Sequence, residues 1–191
     1  MGGFEMNRWA DWLRQGVIWM AAIAIWLTPA SASASLTDDS YDGNIFALYA
    51  GNGSIVPPRI SLAQSLKQGK PTLLFFYVDD SSDCKQYASI ISGLQAPYGR
   101  VVNFVPVMAD SIPPDRTFTP SEPGYYFKGA VPQTLLLDGV GNVVIDQTGS
   151  ITYETVDDRL RELFGLLPRD ESVTLQPRQV NELNTELVPV E

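Results

Sequence analysis

The apolar positions of this chain change period several times. Residues 72–78 form a nearly continuous apolar run between Pro71 and Asp79, the pattern of a strand covered on both faces. From Ser82 onward, Cys84, Tyr87, Ala88, Ile91 and Leu94 recur at helical spacing, which predicts a helix with one buried stripe. A second buried strand is predicted at 101–108. Two shorter runs, 135–137 and 143–146, flank Gly139-Val140-Gly141-Asn142 and read as a hairpin. Val156, Leu160, Leu163, Phe164 and Leu167 mark a closing helix, with Gly165 and Pro168 as its stop signals. Upstream, 44–49 reads as a short strand followed by a loop through Gly51, Gly53 and Pro57-Pro58. Residues 61–67 then read as a short helix capped by Ser61 and stopped by Gly69. Parallel strands joined by helices and closed by an antiparallel hairpin make an α/β fold, a central mixed sheet flanked by helices.

A different pattern precedes this domain. Arg8 and Arg14 lie ahead of the unbroken apolar run 17–27, and Ala30, Ala32 and Ala34 follow it in A-x-A spacing, as in a secretory signal. Including Trp12 and Leu13 lengthens the segment towards the ~20 apolar residues of a membrane span. All four tryptophans of the chain lie here, which suits interfacial anchoring. Residues 1–34 are therefore read as a signal peptide or as an N-terminal membrane anchor through residues 9–27. Both alternatives export the main domain, because the basic flank stays inside. That domain is expected over 35–168, starting with a polar, acidic and flexible stretch at 35–43, and an acidic flexible tail follows at 169–191.

Charge and composition narrow the chemistry. The 191 residues carry 22 acidic against 13 basic side chains, a formal net charge of −9, with no Lys/Arg cluster, so no nucleic-acid partner is expected. There is no histidine and one cysteine. Imidazole acid–base catalysis, c-type haem attachment and a Cys/His zinc site are excluded by composition, and neither a cofactor nor a metal is expected.

The cysteine sits in Ser81-Ser82-Asp83-Cys84-Lys85, where the 72–78 strand turns into the helix. It has two readings: a lone thiol that forms mixed disulfides or senses redox state, or a small apolar side chain on the inner face of its helix. A helix N-terminus and Lys85 would lower its pKa, whereas burial and Asp79, Asp80 and Asp83 would raise it. The balance favours an inert, protonated thiol. Ser81 or Ser82 is expected to cap the helix, and without histidine neither has an activating base. The connection 112–129 is longer than a compact domain favours. Its aromatics Phe118, Tyr125, Tyr126 and Phe127 are candidates either for docking a partner or for covering the core edge.

Three stretches together resemble the thioredoxin superfamily over roughly residues 60–167. They are Gly69-Lys70-Pro71 ahead of the strand, Asp83-Cys84-Lys85 at the helix start, and Val131-Pro132-x-Thr134-x-Leu136-Leu137-Asp138 ahead of a Gly hairpin. Disulfide transfer in that family uses two thiols in C-x-x-C, one attacking and one resolving. Here Ser81 stands at the first position and Cys84 at the second, so the fold signal and the chemistry signal disagree. The resemblance implies a cis Val131–Pro132 bond beside the site. The loop it shapes either presents a backbone edge to an extended peptide partner or is inherited scaffolding.

A narrower resemblance, in layout and in the Ser81-to-Cys84 motif, is to the cyanobacterial thylakoid membrane photosystem I accumulation factor family. It implies a thylakoid membrane location with the domain on the lumenal side, or a plasma-membrane location facing the periplasm. It also implies a non-catalytic assembly role exerted by binding a membrane-protein client, photosystem I subunits or assembly intermediates. The alternative is a single-thiol disulfide oxidoreductase or isomerase using Cys84, with a partner or glutathione supplying the second thiol.

Overall fold

Six consecutive buried residues, Thr72–Tyr77, form the strand around which the molecule is built. The computed structural model describes residues 35–172, together with the single upstream position Trp19. The signal-or-anchor segment and residues 173–191 lie outside the described residues. The chain divides into two units, Met1–Ala34 and Ser35–Glu191. The elements of the second unit are α1 (Ile45–Leu48), α2 (Leu62–Gln68), β1 (Thr72–Tyr77), α3 (Ser82–Tyr98), β2 (Asn103–Met108), β3 (Gln133–Leu137), β4 (Val143–Thr148) and α4 (Tyr153–Phe164). Among the described residues no helix is long and apolar enough to cross a membrane.

The sheet has the order β2-β1-β3-β4. β1 runs parallel to β2, and β3 is antiparallel to both β1 and β4. This is the thioredoxin-like arrangement: a central mixed sheet, a helical crossover between its two parallel strands, and a closing hairpin followed by a C-terminal helix. Side chains alternate across a strand, so β1 serves two cores at once. Leu73, Phe75 and Tyr77 pack with residues of α1, α3 and α4, whereas Leu74 and Phe76 pack with Leu62 of α2, Val105, Leu135 and Leu137. β2 carries Pro106, which an edge strand tolerates because its outer backbone needs no ladder partner.

Local signals explain where the helices begin and end. Ser61 and Gln64 form a reciprocal capping box at the start of α2, and Gly69 ends it in the left-handed conformation. Thr152 caps α4, and Gly165, also left-handed, closes it. Gly139 is required for a different reason. A Cβ there would lie 2.5 Å from the Gly69 carbonyl oxygen, so the hairpin packs backbone to backbone against the end of α2. Beyond α4, the 169–172 segment is held back against it. Arg169 bonds Asp158 and the Glu154 carbonyl, and Arg161 bonds the Leu167 carbonyl and the Ser172 hydroxyl.

Three expectations are corrected. Residues 44–49 are not a strand: Asn44 accepts the Ala47 N–H and caps the short helix α1, whose Ile45 N–H is taken by Asp79. A short apolar run does not distinguish helix from strand by periodicity, and here the cap decides. The sheet consequently has four strands, not five. The second strand begins at Asn103 rather than 101, because the Val101 and Val102 N–H groups both turn back onto the Tyr98 carbonyl. The third correction concerns the stretch read as flexible, 35–43, which is bonded to the start of α3 through Asp38, Asp39 and Asp42.

Candidate functional site

The site is assembled where β1 runs into α3. Ser81 is the N-cap: its backbone is extended and its hydroxyl accepts the Cys84 N–H at 3.4 Å. The next free donor, the Ser82 N–H, is given to Asp39 Oδ1 at 2.8 Å. Asp83 faces solvent in the first turn. Cys84 turns inward and is 0% exposed, within the core that also holds Phe75 and Tyr87. Burial pushes its thiol pKa up, and Asp83 and Asp80 push the same way. Hydrogen bonds involving Val78 and Ser81 oppose them without reversing the direction. With one cysteine in the chain and its thiol buried, no second thiol of this chain is there to resolve a mixed disulfide.

Lys85 does not act on the thiol as the sequence suggested. Its ammonium is 0% exposed and is bonded by Asp42 Oδ2 (2.7 Å), Asp38 Oδ1 (3.0 Å) and the carbonyls of Ser35 (2.9 Å) and Asp38 (3.1 Å). The Tyr49 ring lies 5.4 Å from it, and the Tyr49 hydroxyl donates to Asp42 at 2.5 Å. Burial alone would lower the Lys85 pKa, but the bonds to Asp42 and Asp38 outweigh it and hold it above the ordinary lysine value. Lys85 and Tyr49 in turn hold Asp42 down at about 2. Asp38 is lowered by Ser40 and Lys85, and Asp39 by the Ser82 backbone N–H. Residues 35–42 are thus a strap across the beginning of α3.

The pH response of the strap is set by these shifts. Its three carboxylates have folded pKa values below the unfolded value of about 3.9, so their contribution is complete above that value and is lost as pH falls through the folded ones. Asp79, raised mainly by burial, works in the opposite sense on global stability, so the readout must be local. Amide-exchange protection of residues 36–42, corrected for intrinsic rates, should be flat from pH 7 to about 5 and fall between about pH 4 and 2. Protection unchanged down to pH 2 would mean that these carboxylates do not hold the strap.

The Val131–Pro132 bond is cis and Pro132 is buried. The Pro132 carbonyl accepts the Gly149 N–H at 2.7 Å, which commits that part of the edge to the fold. Val131 packs against the core containing Cys84 and also against the core on the other face of the sheet. Two positions further on, Thr134 shares a 2.5 Å hydrogen bond with the Tyr87 hydroxyl and ties β3 to α3. Cys84, three residues past the Ser81 cap, and Val131, next to Pro132, thus pack in one core.

The aromatic loop divides. Phe127 packs on Phe76 with ring centroids 5.0 Å apart and covers the core edge. Tyr126 is half-buried, with its hydroxyl donating to the Pro120 carbonyl. Phe118 closes over Gly124, where its ring leaves no room for a Cβ. Tyr125 is left 54% exposed, edge-on to Tyr126. Glu122 fixes the loop from within by accepting from Thr119 and Arg116.

The residues that the sequence reading missed are Asp38, Asp39, Asp42 and Tyr49. A signal existed. Lys85 follows Cys84 and lies three positions ahead of Ala88, inside the buried stripe, and a lysine there requires carboxylate partners. Residues 38–42 hold three of them.

No family model matches the chain. It is 52% identical over 176 residues to the thylakoid membrane protein slr1796 of Synechocystis sp., covering 88% of each chain. It is 28% identical over 109 residues to a thiol:disulfide interchange protein TxlA homolog of the same organism, covering 57% of this chain and 58% of that one. A solved structure from work on the thiol-resolving mechanism of yeast mitochondrial 1-Cys peroxiredoxin superposes with a TM-score of 0.40 at 17% identity, over 53% of this chain and 86% of that one. Identity above one half, sustained along nearly the whole of both sequences, means that this thioredoxin-like chain belongs to the family of the thylakoid membrane protein slr1796.

Proposed function

We propose that the chain is a non-catalytic thioredoxin-like assembly factor that supports photosystem I accumulation at the thylakoid membrane by binding a client. The observation that carries this reading is the fate of the motif. The one thiol is sealed in the core, and the serine in the nucleophile's place spends its hydroxyl on capping α3. The docking surface of this reading is the one between the Ser81 turn and the Pro132 loop. Tyr125 is the exposed aromatic of the loop that leads into β3. The client is a membrane protein, photosystem I subunits or assembly intermediates, met on the lumenal side. The basic flank Arg8 and Arg14 and the acidic start of the domain support that orientation.

Similarity to the thiol:disulfide interchange protein homolog favours a second reading, a single-thiol oxidoreductase in which a partner thiol completes the exchange at Cys84. The burial and raised pKa of Cys84 count against it. The link to photosystem I is tested in a strain lacking the gene. Photo-oxidisable P700 per chlorophyll should fall relative to the parent, and reintroducing the wild-type gene should restore it. Unchanged P700 in the deletion strain would remove photosystem I from the proposed role.

A further inference from the structure

The strap at 35–42 is attached to the domain almost wholly through polar contacts to one place. Lys85 Nζ gathers two carboxylates and two carbonyls from it, Asp39 takes the Ser82 N–H, and the Tyr49 hydroxyl sits between Asp42 and the Ser35 carbonyl. Its apolar side chains add little, because Leu36 is exposed and Tyr41 is 72% exposed. A segment with few buried apolar contacts opens at lower free energy than the core it covers. Opening alone would strip Lys85 of both counter-charges, which is unfavourable unless oxygen acceptors replace them.

Seen without the strap, the site has a definite chemistry. The lysine ammonium offers three donor hydrogens, the Ser82 N–H a fourth and the Tyr49 hydroxyl a fifth, and the Tyr49 ring face completes a cation-lined recess. The chain shows what such a recess accepts: an acidic segment, turned at 36–38, that curls round the ammonium and supplies carboxylates four residues apart, Asp38 and Asp42, together with the Ser35 and Asp38 carbonyls. Carboxylates and helix N-terminal N–H groups are also complementary in charge.

We propose that residues 35–42 are an intramolecular ligand of a cationic site made by Lys85, Tyr49 and the Ser82 N–H, and that this site receives an acidic, turn-forming segment of a partner protein in their place. The strap is then a built-in competitor. A partner gains access only by matching its carboxylate spacing, which makes the site selective as well as normally closed. Neither docking at the Pro132 loop nor photosystem I as the client is needed for this exchange.

The probe is a labelled synthetic peptide with the sequence of residues 35–43, titrated onto full-length protein carrying Asp38→Asn and Asp42→Asn. Those changes loosen the strap and leave Lys85 in place. The peptide should bind the double variant at least ~10-fold more tightly than it binds the wild type, whose tethered strap competes at high effective concentration. Adding Lys85→Met should abolish binding. Equal binding by wild type, equal binding after Lys85→Met, or no binding to the folded double variant each overturns the proposal. Should the double variant fail to fold, the wild type decides. Its 36–42 amides should exchange at least ~10-fold faster than those of 87–91 and faster still in saturating peptide. Exchange of the strap only through global unfolding overturns the proposal.

Discussion

The native full-length chain will react with iodoacetamide at least ~10³-fold more slowly than the same chain unfolded in urea, because Cys84 can be modified only when the domain opens. Two effects act in the same direction. The Cys84 side chain is shut inside the core, so the reagent meets it only in an open state. While the domain stays folded, burial and then Asp83 and Asp80 also hold its pKa up, so the folded state itself supplies little thiolate. The rate should track native-state stability and rise in sub-denaturing urea. A native rate within about tenfold of the unfolded control would show a standing route to the sulfur and would move the single-thiol enzyme to the front.

Phe75→Ala should cost about 3–5 kcal/mol, the range for truncating a buried aromatic. Phe75 is the centre of the larger core. Its ring meets Phe46 edge-on at 5.6 Å and Tyr87 at 6.3 Å, and Phe46 in turn meets Tyr77 at 5.0 Å. Removing it leaves a cavity bounded by α1, α3 and the sheet and breaks contacts that join all three. The check is the urea midpoint of the full-length chain at unchanged m-value, against Val143→Ala, an exposed position on β4 where about 0.5 kcal/mol or less is expected. A Phe75→Ala cost below about 1 kcal/mol would mean that this cluster does not hold the fold together.

Much of the fold was legible because its signals are local. The helical stripe of α3, the capped and glycine-stopped α2 and α4, and the glycine hairpin between β3 and β4 all lie in contiguous sequence. α1 was misread because a four-residue helix has too few turns for a period to show. Its cap depends on Asn44, and its first N–H is satisfied by Asp79, 34 positions away. The strap was misread for the same physical reason. Asp38, Asp39 and Asp42 look like a solvated acidic run until Lys85, more than 40 positions on, is found buried beneath them. At the site itself, the burial of Cys84 was legible from its place in the apolar stripe of α3. The electrostatic role given to Lys85 was not, because the sequence does not say which neighbour a long side chain reaches.

A protein that works by binding and not through its thiol should tolerate loss of the sulfur. Complementing the deletion strain with Cys84→Ala, matched to wild type for accumulation of the protein, and measuring photo-oxidisable P700 asks this directly. Recovery equal to wild type is expected. A variant that accumulates normally and leaves P700 at the level of the deletion strain would contradict the binding mechanism.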